Sequence, residues 1–244
     1  MLLIVGLGNP GPNYAGHRHN VGFMALEAIA QRHGFSAWRK RFQGQVAEGQ
    51  LNGVKVVALE PLTYMNNSGQ AVGEALRFFK LSPDAVLVLH DELDLAPGKI
   101  KMKRGGGHAG HNGLRSITQH IGPDFRRLRI GIGHPGDKSR VHGHVLSDLA
   151  KAEQPHFERL FKAMAEQAPL LVENSEQADN AFTSKVMQSL LSERPKKTTQ
   201  PPRKSTPLQQ SPSGAANHRS EEGVLARALR NVLGPLTGDR RRDE

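Results

Sequence analysis

Hydrophobic and polar positions along this chain change period several times, and each change predicts an element. Met1 to Val5 is an unbroken apolar run closed by Gly6, which predicts a short buried strand. Gly6, Gly8 and Gly11 with Pro10 and Pro12 then force an irregular loop carrying Asn9, Tyr14, His17 and His19. Helical spacing starts after Asn20, a candidate cap, with Val21, Met24, Ala28 and Ile29 on one face. Gln45 to Leu51 and Val54 to Leu59 flank Asn52-Gly53, a strong hairpin signal. Asn67 or Ser68 can cap a second helix through Val72, Leu76 and Phe79.

Beyond the turn Ser82-Pro83-Asp84, "AVLVLH" predicts a buried strand, with Asp91 just past its carboxyl end. "GKIKMK" alternates, placing Lys99, Lys101 and Lys103 on one face. "RGGGHAGHNG" predicts a glycine-rich loop into a helix from Asn112 to Ile121. In "RRLRIGIG", Leu128, Ile130 and Ile132 face one side, Arg127 and Arg129 the other. Residues 148–172 and 177–191 read as two closing helices. Strands interleaved with helices, plus one hairpin, predict an α/β single domain over residues 1–193: a twisted mixed β-sheet flanked by helices on both faces. From 194 the chain turns to Pro, Ser, Gln and Lys, which predicts a disordered C-terminal extension to residue 244. Within it, Leu225, Leu229 and Val232 give 222–233 the stripe of a short amphipathic helix, with an RNA or ribosome contact as its expected use.

The net charge of +10 is uneven. Residues 194–244 hold 11 basic and 5 acidic side chains, against 22 and 18 in the rest, so the body is only mildly basic. Any nucleic-acid site in the body must therefore come from clustering. With no cysteine, disulfides, thiolate metal sites and a cysteine nucleophile are excluded. The N-terminal apolar run is too short for a secretion signal, and no stretch approaches membrane-spanning length; a soluble cytoplasmic protein is expected.

Gly6-x-Gly8-x-x-Gly11 after a strand formally matches the dinucleotide fingerprint. In that motif, however, the helix begins inside the glycines so that its N-terminus meets a pyrophosphate. Here two prolines intervene, and no second strand ends in an acidic residue about twenty positions on. The other reading is a loop presenting Asn9 and His19 to a substrate.

"GLGNPG.NY..HRHNVGF", "TYMNNSG", "HDELDL", "GGGHAGHNGL" and "RLRIGIGHPG" occur in that order. Together they closely resemble the bacterial peptidyl-tRNA hydrolase family, over about residues 1–190. The resemblance implies a three-layer α/β sheet and a monomeric enzyme. It implies hydrolysis of the ester joining a peptide to the terminal ribose of tRNA, which recycles tRNA dropped by ribosomes. The family's catalytic histidine maps to His19 and its partner carboxylate to Asp91. Histidine suits the task because its ordinary pKa near 6.5 lets it accept a proton at neutral pH. Asn9, Asn66 and Asn112 match site positions: Asn9 to check that the amino group is acylated, the other two to orient ester and water. Tyr14 and Tyr64 match positions that touch the RNA end, and Lys103 and Arg129 a clamp on the terminal phosphate.

The residues themselves add Lys101 and Arg104 as phosphate candidates, and His111, beside Asn112, as a site-lining residue. Twelve histidines raise the question of metal, but no H-E-x-x-H spacing occurs, and neither a metal nor a cofactor is expected. The competing class is an RNA-binding module without catalysis. His19 paired with Asp91 argues against it, because binding alone needs neither.

Overall fold

The computed structural model describes residues 1–192, so the linker and helix predicted within 194–244 lie outside the described residues. In chain order the elements are β1 (Leu2–Gly6), α1 (Val21–Arg32), β2 (Arg39–Arg41), β3 (Gly44–Leu51), β4 (Val54–Pro61) and α2 (Ser68–Phe79). They continue with β5 (Val86–Glu92), β6 (Ile100–Arg104), α3 (Asn112–Ile121), β7 (Arg126–Gly131), α4 (Val141–Val145), α5 (Gln154–Gln167) and α6 (Glu176–Ser192).

The seven strands form one sheet in the order β2-β3-β4-β1-β5-β7-β6. β1 runs parallel to β4 and β5, and β5 to β7, while β2, β3 and β6 pair antiparallel. Strand β1 is apolar throughout because both its faces are covered. Leu2 and Ile4 join a core with Leu26 of α1, Phe157 of α5 and Phe182 of α6. Leu3 and Val5 join a second core with Val72 of α2 and Ile117 of α3. The mixed sheet with helices on both faces is therefore as the alternation predicts. The β3–β4 hairpin turns at Asn52 and Gly53, both with positive φ (47° and 75°), as a two-residue turn requires.

Three local expectations are corrected, and two elements are unforeseen. Asp91 lies inside β5, one residue before its end, because β5 continues to pair with β7 through Glu92. Asn20 and Asn67 occupy helix N-cap positions, yet neither side chain caps; Asn20 is used elsewhere, and Ser68 Oγ donates to the Met65 carbonyl. Residues 148–172 form a helix only over Gln154–Gln167, followed by a tight 3-10 turn over Ala168–Val172 that carries a proline. Strand β2 carries no apolar residue and helix α4 is only five residues long, so the sequence does not announce them.

Two acidic residues sit against the α1 face of the sheet. Burial lifts the Glu27 carboxyl to about 7. Glu60, fully buried on β4, is held well above the usual range by burial and by the charge of Glu27. Gln45 donates to Glu60 Oε2, but Oε1 has no partner. A carboxyl whose native pKa exceeds its unfolded value binds more protons when folded, so stability is present at low pH and falls as pH rises from the ordinary carboxylate range through about 7. Glu60→Gln keeps the shape of the protonated acid and cannot ionise. It is expected to be more stable than the native chain near pH 8, by on the order of 1–3 kcal/mol, with the gap closing towards pH 5. Denaturant unfolding at both pH values checks this; a gap that does not change with pH would mean that Glu60 does not titrate in this window.

Candidate active site

The carboxyl ends of β1 and β5 lie side by side, and the loop after β1 folds back over them. Two hydrogen bonds close that loop: the Asn9 amide donates to Asn20 Oδ1 (3.0 Å), and Asn20 Nδ2 donates to the Asn9 carbonyl (2.9 Å). Arg18 grips Glu153 with both terminal nitrogens (3.0 and 2.5 Å), tying the loop to the start of α5. Gly22 then lets α1 begin against backbone. A Cβ there would stand 2.4 Å from the Leu89 carbonyl and 2.5 Å from the Leu7 nitrogen, closer than any side chain tolerates. This close seat brings His19, three residues earlier, over Asp91.

His19 Nδ1 lies 2.8 Å from Asp91 Oδ1, and His111 Nε2 lies 2.9 Å from the same oxygen. The tautomers follow from the partners. His111 occupies the N-cap of α3, where its Nδ1 accepts from the amides of Gly113 and Leu114, so its proton is on Nε2 and is donated to Asp91. The Asp91 carboxylate accepts from both imidazoles, which leaves His19 Nε2 with a lone pair. His19 and Asp91 are both buried. Burial alone would push the Asp91 carboxyl up, but the charges and hydrogen bonds of His19 and His111 outweigh it and hold it well below the usual carboxylate range. For His19, burial pulls downward and Asp91 pulls upward by charge and hydrogen bond; the net result lies above 6.5. Asp91 is thus built to stay ionised and His19 to be a stronger base than a free imidazole.

His19, Asp91 and His111 are the one group among the described residues whose ligand atoms could converge on a metal ion. They do not fit one well. His111 Nε2 carries the proton that its capping role forces there, and has no lone pair to offer.

Two of the three site asparagines are oriented by a partner. The Met65 amide donates to Asn9 Oδ1 (2.8 Å); an N–H can only donate, so the atom facing it is the oxygen and Asn9 Nδ2 remains a donor. Arg115 donates to Asn112 Oδ1 (2.8 Å), which likewise leaves Nδ2. Asn66 stands exposed in the 3-10 turn Met65–Asn67, next to the residue Asn9 holds. This turn meets the start of α3, where a Cβ on Gly113 would strike Met65 Sδ at 2.6 Å. Asn9, Asn66 and Asn112 are therefore drawn to the same edge as the His19–Asp91 pair. Tyr64 is 62% exposed beside them, and Tyr14 packs edge-on against His17 at 5.3 Å.

The basic candidates separate. Lys101 faces Arg129, and Lys103 faces Arg127, across the β6–β7 pair. Arg104 is engaged with Asp179 (2.8 Å) and Asn174, and Arg129 donates Nε to Glu92 (2.8 Å), keeping its outer nitrogens. Lys103, Arg127 and Arg129 line a cavity of about 30 Å³ with His90, Glu92 and Leu114.

Three residues that shape the site escaped the sequence reading. Asn20 is spent on closing the loop. Arg127, buried under the glycine-rich loop, donates to the carbonyls of Gly107 and Gly106 (2.6 and 2.5 Å). His90 donates Nδ1–H to the Asp91 carbonyl (2.8 Å) and packs edge-on at 5.1 Å against His111. Burial, with the positive charges nearby, drops its pKa to about 3, so it stays neutral. Only the position of His90, inside an apolar strand beside Asp91, signalled its burial.

A mixed sheet with a buried histidine–aspartate pair at its carboxyl edge, ringed by neutral amide donors, has the architecture of an α/β hydrolytic enzyme. Residues 3–190 match the family described as peptidyl-tRNA hydrolase. The chain belongs to the peptidyl-tRNA hydrolase family and is a hydrolase. It is 66% identical over 171 residues to the peptidyl-tRNA hydrolase of Paracoccus denitrificans, covering 70% of this chain and 73% of that one. It is 59% identical over 198 residues to that of Parvibaculum lavamentivorans, covering 81% and 95%. The crystal structure of peptidyl-tRNA hydrolase from Acinetobacter baumannii superposes with a TM-score of 0.72 at 47% identity, covering 75% of this chain and 95% of that one.

Proposed function

We propose that this enzyme hydrolyses the ester between a peptide and the terminal ribose of tRNA, with His19 as general base on a water molecule. The observation that carries this reading is the shared Asp91 oxygen: it holds His19 by Nδ1 and leaves Nε2 to take a proton. Asp91 holds the ring in one tautomer and stabilises the imidazolium, while His111 fixes Asp91. No cofactor enters the reaction. As water attacks the ester carbonyl, negative charge grows on its oxygen, and the Asn66 and Asn112 amides are the neutral donors placed to receive it. Tyr14 and the exposed Tyr64 supply faces for the terminal nucleoside. Lys101, Lys103 and the free edge of Arg129 take the terminal phosphate.

Asn9 is the selector. Its oxygen is spent on the Met65 amide, so it offers Nδ2 as a donor, which suits the carbonyl of an acylated amino group. A free aminoacyl ester presents an ammonium there instead, and two donors cannot pair. Among the described residues no helix is long and apolar enough to cross a membrane. A tRNA substrate supports a cytoplasmic enzyme, which we take to act as a monomer with the 194–244 tail as an RNA or ribosome contact.

The test is release of the acyl group from N-blocked aminoacyl-tRNA with free aminoacyl-tRNA spared. Asn9→Ala is expected to narrow that ratio by about tenfold or more, the scale on which an unpaired polar group discriminates. If both activities fall by the same factor, Asn9 positions rather than selects. If the native chain releases neither acyl group, the reading fails.

A further inference from the structure

A groove of about 500 Å³ lies between the β2–β3 hairpin and the segment that leads from β4 into Tyr64, lined by Lys40, Arg41, Gln43, Gly44, Leu62 and Thr63. That is room enough for a nucleotide. We propose that it is a second RNA subsite, binding phosphodiesters of the single-stranded 3′ end that carries the scissile ester; this rests on the reading of peptidyl-tRNA as substrate.

The charge of the groove is the first argument. Of its six lining residues two are cations and none is acidic. Five arginines of the fold are ion-paired: Arg18 with Glu153, Arg39 with Glu48, Arg104 and Arg126 with Asp179, Arg129 with Glu92. Lys40 and Arg41 make no ion pair among the described residues. Charge on an edge strand discourages further pairing, and any exposed charge meets that need. It does not call for a guanidinium stacked on two rings beside a second cation, which is an arrangement that suits a polyanion.

The second argument is how Arg41 is held. Its guanidinium lies 4.0 Å from the Phe78 ring centroid and 4.5 Å from that of Phe42, with Phe79 packed edge-on against both rings. Stacking fixes the plane of the guanidinium and leaves its N–H edge for an acceptor, the arrangement in which arginine meets phosphate. The turn beneath is strained. Phe42 and Gln43 both have positive φ (54° and 51°), where the β3–β4 hairpin uses Asn-Gly. Burial of Phe42 holds the strain, and the Leu62 amide donates to the Gln43 carbonyl (3.0 Å), pinning the hairpin tip to the other wall.

The third argument is continuity with the site. Thr63 on the far wall has a buried hydroxyl without a partner. Tyr64 follows it, 62% exposed, and then Met65, whose amide is bound to Asn9. Cations beside an exposed aromatic face make up a single-strand nucleic-acid groove, in which charge tracks the backbone and rings take bases. A nascent peptide, whose sequence varies, gives no reason for two unpaired cations. The groove lies at the β2 margin of the sheet, opposite the β6–β7 margin that carries Lys101, Lys103 and Arg129.

The experiment compares the native enzyme with Lys40→Ala/Arg41→Ala on two substrates: an N-blocked aminoacyl-tRNA and the same N-blocked aminoacyl ester of adenosine alone. On the tRNA the variant is expected to lose about tenfold in kcat/KM, mostly through KM, with a salt dependence shallower by up to about 1.4 in log–log slope, the value for two single-strand phosphate contacts. On the nucleoside ester it is expected to match the native enzyme within about twofold, because no phosphodiester is present. An equal loss on both substrates would assign the groove to the acyl side or to stability, and no loss on tRNA would leave it without an RNA role; either result overturns the subsite alone. A native enzyme inactive on both substrates would overturn the substrate reading and the subsite with it. Lys40→Gln, on an exposed strand position, repeats the measurement without touching the aromatic stack, and is expected to give a smaller loss in the same direction.

Discussion

Replacing His19 by alanine is expected to lower turnover by about 10²–10⁴-fold while the protein stays folded. The size follows from the role, because water at neutral pH is a poor nucleophile without a base at the proton it must lose. The fold should survive because Asp91, the hydrogen-bond partner of the His19 ring among the described residues, keeps its second hydrogen bond from His111. Asp91→Asn should cost less, since the base remains and loses only the charge that orients and strengthens it. The pH profile is a second readout. Only neutral His19 can act as base, and its pKa lies above 6.5, so turnover should fall as pH drops through a midpoint above that value. Steady-state kinetics on an N-blocked aminoacyl-tRNA, with circular dichroism as the folding control, checks both. Near-native turnover in folded His19→Ala would end the assignment.

The largest effect on stability is expected at Asp179, remote from the chemistry. Arg126 is 1% exposed, and it donates to Asp179 (2.5 Å) and to the Leu171 carbonyl (2.8 Å). Asp179 also takes Arg104 (2.8 Å), so one carboxylate on α6 neutralises two guanidiniums at the β6–β7 edge. Removing it leaves a positive charge in a place water does not reach. Asp179→Ala should therefore cost about 3–5 kcal/mol, the usual penalty for breaking a buried pair on one side. For a domain of this size that lowers Tm by about 6–20 °C. Replacing both partners by apolar residues, as in Arg126→Met with Asp179→Leu, should recover most of the loss, because the charge left without a partner, Arg104, is exposed to water rather than buried. Thermal unfolding of the three proteins decides. A double variant as unstable as the single one would mean that the pair is needed for its geometry rather than its neutrality.

The parts of the molecule legible in the sequence were those written in apolar period or in backbone chemistry. β1 announced itself by an apolar run, the β3–β4 hairpin by Asn-Gly, and α3 by the glycine-rich loop before it. The pairing of His19 with Asp91 came from family motifs, and the structure sets the two side chains at hydrogen-bond distance. What stayed hidden was polar structure made at long range. Arg127 read with Arg129 as one basic strand face and Arg126 was not singled out, yet Arg126 and Arg127 are both buried, one against a carboxylate 53 positions away and the other under carbonyls of the loop it supports. Asn20 reads as a cap in any local window; only the folded loop shows its amide spent on Asn9. Strand β2, Arg-Lys-Arg, has no apolar residue because it is an edge strand, where charge on both faces discourages further pairing.

His111 joins two things usually kept apart. The same ring that donates to Asp91 also closes the first turn of α3. Helix ends open far more readily than central strands, so the weakest step in the molecule need not involve the sheet at all. When that turn frays, Gly113 and Leu114 release the ring, the ring releases the carboxylate, and His19 keeps a partner that is no longer held. With His19 as the proposed base, catalytic competence is then expected to depend on one helical turn. Turnover is therefore expected to fall at a lower temperature or denaturant concentration than the sheet signal does, and to return on cooling; activity followed beside circular dichroism checks this, and coincident loss of both would count against it.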